Sequence, residues 1–199
     1  MDRHFQLKKH IHIAIKEHCL REGYISKLKD IGYVNNILDR LDIKGYKIVD
    51  SGQHGIIVSL SGSEKCLKLT ESKAEKSIVE KIGRQAYATL PTIYKQGQID
   101  TIFWYERDFF TPISEALADA IDENMDEIYD FFDERKNWDV EKSNSNLSYE
   151  FDGKFLSFLS QLKRDLHKIG LLPFNWDIDG LSTNTYNNKN GSSFVLADF

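Results

Sequence analysis

Apolar residues recur with a helical period in some blocks of the chain and alternate in others. Residues 3–21 carry Phe5, Ile11, Ile15 and Cys19 along one stripe, a helix that Gly23 ends. Val34, Ile37, Leu38 and Leu41 give a second helix over about Tyr33 to Asp42, with Gly45 beyond it. The texture then changes to β-rich runs at Tyr46–Val49, Ile56–Leu60 and Cys66–Leu69, joined by the turn-rich stretches "DSGQHG" and "SGSE". They read as an antiparallel meander. "ESKAEKSIVEKIGRQA" is helical, and "TIYKQGQIDTIFWYERDFF" gives two more strands around a turn near Gly97–Asp100.

From Ser114 to Phe132 the period is helical again and the polar positions are acidic; "ERKNWDVEKSNSN" follows as a polar linker. Next come Phe151, Phe155, Phe158, Leu159, Leu162, Leu166 and Ile169, spaced as one face of a long helix. Gly170 suits its C′ position and Pro173 stops it. Burying those side chains is worth about 1.5–3 kcal/mol each as an upper bound, so that face needs a neighbour. Helices 3–21 and 33–42 are the segments expected to cover it. A loop, a strand, an Asn-Lys-Asn-Gly turn and a last strand close the chain.

The order of elements predicts an α+β fold with a sheet lobe and a helical lobe. Three parts are expected: a helical extension over residues 1–44, a sheet lobe over 45–110 and a reduced helical lobe over 111–199. Neither internal repeats nor low-complexity tracts interrupt them.

Composition narrows the classes. Hydrophobic residues make up 41%, enough for a full core, and the net charge of −5 argues against nucleic acid as a partner. No run of 18 apolar residues predicts a membrane span. The N-terminal stretch lacks an uninterrupted apolar signal core, so a cytoplasmic location is expected, or delivery to a host cell if the protein is an effector. Cys19 and Cys66 cannot make a disulfide framework.

Four places could carry chemistry. In "VDSGQHGIIV", Gly52 and Gly55 flank Gln53 and His54 between two strands, where backbone N–H groups could approach a phosphate; alone, such a stretch is a hairpin. Lys68 shares a strand face with Cys66 and Thr70; pointing inward it needs a carboxylate or a phosphate, and on an edge strand it would face solvent. Glu71, Glu75 and Glu80 lie on or beside the next helix, where a glutamate is ordinarily solvated. Last, Asp177, Asp179, Asn184 and Asp198 could gather oxygen donors at strand ends. A calcium loop opening at Asp177 fails, because Ser182 and Asn188 stand where Gly and Glu are required. His10 and His12 point about 200° apart on a helix and read as ordinary surface and core residues. Trp104 and Trp176 read as core or pocket walls, and the acidic stretch Glu115–Glu134 as a solvated face or a docking face for a basic partner.

Taken in order, the glycine loop, Lys68 on the third strand, a Glu on the next helix, Asp179 with Asn184 five residues on, and Asp198-Phe199 after a strand resemble the protein-kinase-like phosphotransferases over about Tyr46 to Phe199. The resemblance is to a minimal, bacterial or phage-type Ser/Thr kinase cut short after the Asp-Phe of its Asp-Phe-Gly motif. It implies ATP and Mg2+ as cofactors. Gly52, Gln53, His54 and Gly55 would cover the phosphates and Lys68 would hold them. Glu75 would pair with Lys68, with Glu80 as a fallback. Asp179 would be the catalytic base, and Asn184 and Asp198 would hold the metal. "RDFFTPI" from Arg107 would supply the backbone that meets adenine.

Several positions depart from that family. Asp50 replaces the first glycine and would bring negative charge near the phosphates unless it points away. The usual His-Arg before the catalytic Asp is Asp177-Ile178, which makes Asp177 a rival base. The activation loop and peptide-holding helices are missing, so a partner chain or the N-terminal helices would complete the lobe. The partner expected is a protein, as substrate or as binding partner. An inactive kinase-like binding module is the alternative, and a small-molecule phosphotransferase similar to aminoglycoside or sugar kinases is a third reading.

Overall fold

The computed structural model describes residues 27–51, 55–132, 151–171, 180–188 and 190–197. The chain divides into two compact units, Met1–Asp42 and Ile43–Phe199. In the first unit a 3-10 turn at Lys27–Lys29 precedes helix α1, Ile31–Arg40. Asp30 starts α1: its carboxylate accepts the N–H groups of Gly32 at 2.8 Å and Tyr33 at 3.3 Å, satisfying donors that the first turn leaves open. The helix therefore begins two residues before Tyr33, where the apolar spacing had placed its start. Val34, Ile37 and Leu38 are buried, as their spacing predicts. The expected helix over 3–21 lies outside the described residues.

The second unit is built on a five-stranded antiparallel sheet of β1 (Tyr46–Ser51), β2 (Gly55–Leu60), β3 (Lys65–Thr70), β4 (Lys95–Ile99) and β5 (Ile102–Asp108). Helix α2, Lys73–Ile82, leaves β3 before β4 begins. The strand order is β1-β2-β3-β5-β4, so the sheet is not the simple meander expected from the sequence. The hairpin formed by β4 and β5 enters with β5 beside β3, and β4 becomes the edge. β5 carries the more apolar sequence and has no exposed residue, whereas "KQGQI" of β4 suits an edge. The turn of this hairpin is Asp100-Thr101, with Asp100 at φ +53°. Gly97, expected near the turn, sits inside β4. A Cβ there would come within 2.8 Å of the Trp104 indole, so the glycine makes room for half-buried Trp104 to lie across the strand. One residue, Val49, bulges out between the Ile48 and Asp50 pairings of β1.

A short strand β6 (Thr111–Pro112) leads into α3 (Glu115–Glu123) and α4 (Met125–Phe132). The sequence period suggested one helix here; the structure breaks it at Asn124, which caps α3 and whose amide bonds back to the Ala120 carbonyl at 2.8 Å. Helix α5, Gly153–Lys168, is started by the Asp152 carboxylate accepting the Phe155 N–H at 2.8 Å. The one-turn helix α6 (Leu181–Asn184) then runs into β7 (Thr185–Asn187) and β8 (Phe194–Leu196), which pair with β6 in a three-stranded sheet ordered β6-β7-β8.

The apolar face of α5 finds its neighbours inside this unit. Phe155 and Phe158 both meet the Phe194 ring edge-on at 5.7 Å, and Phe151 packs on Phe155 at 4.6 Å. Val79 and Ile82 of α2, Phe103 and Tyr105 of β5, Ile121 of α3, and Ile128, Phe131 and Phe132 of α4 complete one continuous core with it. The acidic segment 115–132 has an apolar side, through which it joins the same core as α5. The five-stranded sheet and the helices make the unit α+β, as the order of elements predicted. No helix among the described residues is long and apolar enough to cross a membrane.

Candidate functional site: a buried Lys–Glu–Tyr cluster

β3 lies at the centre of the sheet with Cys66 to Thr70 all buried, so Lys68 is no edge lysine. The register puts Lys68 opposite Ile57 on β2 and Tyr105 on β5, on one face of the sheet. A lysine in that position must find an anion. It finds Glu75: Nζ lies 2.6 Å from Oε1, with the two side chains 11% and 4% exposed. Little water competes for either charge; burying both costs desolvation that offsets their attraction, and removing either would leave the other charge buried and uncompensated.

Local sequence delivers Glu75 to that point. Ser72 is the N-cap of α2, and its hydroxyl accepts the Glu75 N–H at 3.1 Å. Ser72 and Glu75 stand at the spacing of a capping box, in which the glutamate would reach back to the N–H of the cap. Here the Thr70 hydroxyl takes that N–H at 3.1 Å. The carboxylate of Glu75 is released from capping and turns to Lys68. Its place in the first turn also lets the helix dipole favour its negative charge. Glu80 stays on the outer side of α2, 52% exposed and 3.8 Å from Lys76. The structure therefore brings Glu75, and not Glu80, to Lys68.

Two further residues belong to the cluster. The Tyr105 hydroxyl donates to the same Glu75 Oε1 at 2.7 Å from a fully buried position. Gly55 opens β2 opposite Thr70, and a Cβ there would stand 2.8 Å from the Leu69 carbonyl oxygen and 3.4 Å from Lys68 Cε. Glycine at 55 thus answers to backbone approach and to the stem of Lys68 together. Gly52, Gln53 and His54 lie outside the described residues.

Asn184 ends α6. Its N–H donates to the Gly180 carbonyl at 2.9 Å, and its own carbonyl accepts the Ala197 N–H at 3.0 Å. Gly180 has φ +93°, and a Cβ there would crowd the Asn184 carboxamide at 3.2 Å. Asn184 is thereby tied to the residue preceding Asp198. Asp198 itself lies outside the described residues, as do Asp177, Asp179 and Trp176. Leu181 and Leu196, beside Asn184, belong to the same buried core as Tyr105, beside Lys68. Asp50 pairs with Ile57, which pairs with Lys68, so its register position is on the Lys68 face, two strands away. It is exposed, and its carboxylate accepts the Ser51 N–H at 2.7 Å.

Sequence reasoning missed Tyr105 and Asp165. Asp165 is completely buried on α5. Its Oδ2 accepts from Ala88 N at 3.2 Å, Thr89 N at 3.2 Å and Thr89 Oγ1 at 3.0 Å, and its Oδ1 from Gln161 at 2.8 Å and Lys168 at 3.2 Å. The Thr89 carbonyl in turn accepts the Leu196 N–H at 2.8 Å. One carboxylate so links α5, the α2–β4 connection and β8. The signal was readable: Phe158, Leu162, Asp165 and Ile169 follow the 4-3-4 spacing of a buried stripe, with an acid where an apolar residue would stand. Tyr105 had no such signal, because its partner is set by strand order.

Among the described residues no group of three or more His, Cys, Asp or Glu side chains could hold a metal ion. The fold and the cluster define an α+β protein whose central strand carries a buried lysine clamped by a helix glutamate. Compared with known proteins, the chain matches no family model and no curated sequence.

Proposed function

We propose that the protein is an ATP-dependent phosphotransferase of the protein Ser/Thr kinase type. The observation that carries this reading is the buried pair of Lys68, on the third strand, with Glu75, on the helix that follows. In protein kinases a lysine on the third strand meets the phosphates, and a glutamate on the following helix holds it.

The described residues suit that group in part. Lys68 is a buried cation next to Gly55, where the backbone approaches with no Cβ in the way. Asn184 and Asp198 carry the oxygen donors that Mg2+ prefers. Bound Mg·ATP would supply the transferable phosphoryl group and neutralise charge as it moves. The chain's own residues then have separate tasks. Lys68 steadies the phosphates, Glu75 keeps Lys68 in place, and Asn184 with Asp198 holds the metal. Asp179 orients an acceptor hydroxyl and takes its proton. The acceptor proposed is a Ser or Thr of a protein.

One observation favours the alternative, a kinase-like binding module without activity. Asp50 replaces a loop glycine and shares the Lys68 face of the sheet, where a carboxylate opposes phosphate. Transfer of label from γ-labelled ATP with Mg2+, with and without a cytoplasmic lysate, decides between them. Wild type should label protein, and Lys68→Ala and Asp198→Ala should not. Label carried by either variant at the wild-type rate would refute the assignment. Retained partner binding without any ATP binding would favour the module.

A further inference from the structure

We infer that Tyr105 is a positioning residue, which holds the Glu75 carboxylate on the Lys68 site by a bond that does not depend on Lys68. The tether is read from the geometry alone; its use toward a nucleotide rests on the phosphotransferase reading.

Glu75 Oε1 accepts two hydrogen bonds, from Lys68 Nζ at 2.6 Å and from the Tyr105 hydroxyl at 2.7 Å. The two donors stand opposite each other on the adjacent central strands β3 and β5. They differ in freedom and in charge. Lys68 has a flexible stem and a full positive charge, which any phosphate reaching the site will attract. Tyr105 has a ring packed in the core beside Phe103 and a neutral hydroxyl. Glu75 is 3% exposed, so water cannot replace a donor it loses. When Lys68 shares its charge with an anionic ligand, a carboxylate held by Lys68 alone would be stranded or would drag α2 away. Tyr105 removes that conflict. It keeps Glu75 and the first turn of α2 fixed against β5 and adds no charge to compete for the ligand. A buried phenol hydroxyl also needs an acceptor, so each group satisfies the other.

The test uses Tyr105→Phe, which removes only the hydroxyl, in the full chain. Accessibility of Lys68 is read from its rate of acetylation by acetic anhydride, by mass spectrometry, against the exposed Lys95 as internal standard. Loss of one buried hydrogen bond to a charged group should raise Lys68 labelling about tenfold while the melting curve stays cooperative. In a Glu75→Gln background, adding Tyr105→Phe should change labelling no further, because Tyr105 acts through Glu75. Unchanged Lys68 labelling in Tyr105→Phe, or an equal rise in both backgrounds, would make Tyr105 a packing residue and overturn the inference. Calorimetry with Mg·ATP is run alongside. If wild type binds, affinity should fall about tenfold in Tyr105→Phe, and unchanged affinity would also overturn the inference. If wild type does not bind, the phosphotransferase reading falls and the labelling result alone decides the tether.

Discussion

Replacing Asp165 by Ala removes the acceptor of five donors at once, of which Gln161 and Lys168 on Oδ1 can turn to solvent. Ala88 N, Thr89 N and Thr89 Oγ1 all converge on its Oδ2, and the Thr89 groups are buried. A buried donor left without a partner costs about 1–3 kcal/mol. The hydroxyl can rotate to a new acceptor, so the two N–H groups set the scale, and roughly 3–5 kcal/mol is expected, as for other broken buried charge sites. That is a large part of the ~5–15 kcal/mol that stabilises an ordinary domain. In urea the midpoint should fall with the slope unchanged, and the melting temperature should drop by roughly 6–20 °C for a chain of this size. Asp165→Leu sharpens the test, because replacing a buried charge by a well-packed apolar residue can be neutral or stabilising. Leucine restores the apolar stripe but leaves the same N–H groups unpaired, so it too should lose at least about 2 kcal/mol. A leucine variant as stable as wild type would refute the claim that this carboxylate joins α5 to the α2–β4 connection.

Other outcomes follow from the same geometry. Glu75→Gln should cost about 3 kcal/mol by leaving Lys68 uncompensated, whereas Glu80→Gln should stay within about 0.5 kcal/mol because its pair is exposed; urea midpoints of the two variants check the contrast. Gly55→Ala should lose about 1–3 kcal/mol, since the new methyl meets the Leu69 carbonyl, and it should raise the acetylation rate of Lys68 by pressing on its stem. Ser72→Ala removes the N-cap of α2 and should cost about 1 kcal/mol, read as a lowered midpoint with faster amide exchange at Glu75.

Much of this was legible without coordinates. Alternation located the strands, helical patterning located α2 and α5, and Lys68 was marked as a residue that would need an anion if it pointed inward. Strand order was not legible. The meander reading put β4 beside β3, and only the position of β5 explains why Tyr105 reaches Glu75. In the acidic segment 115–132 the charges at Glu115, Asp119, Asp122, Glu123, Asp126 and Glu127 are exposed, as a solvated face requires, while Ile121, Ile128, Phe131 and Phe132 close the core over α5.

The sequence by itself determined the α+β class, a lysine on the third strand and candidate glutamates on the helix that follows. Those are properties of neighbours along the chain, where period and cap chemistry act over a few residues. The tertiary structure alone decided that Glu75 rather than Glu80 meets Lys68, that Tyr105 holds the same carboxylate, and that Asp165 binds three elements together. Each depends on groups up to 77 residues apart, brought together by burial of a shared core that no local pattern encodes.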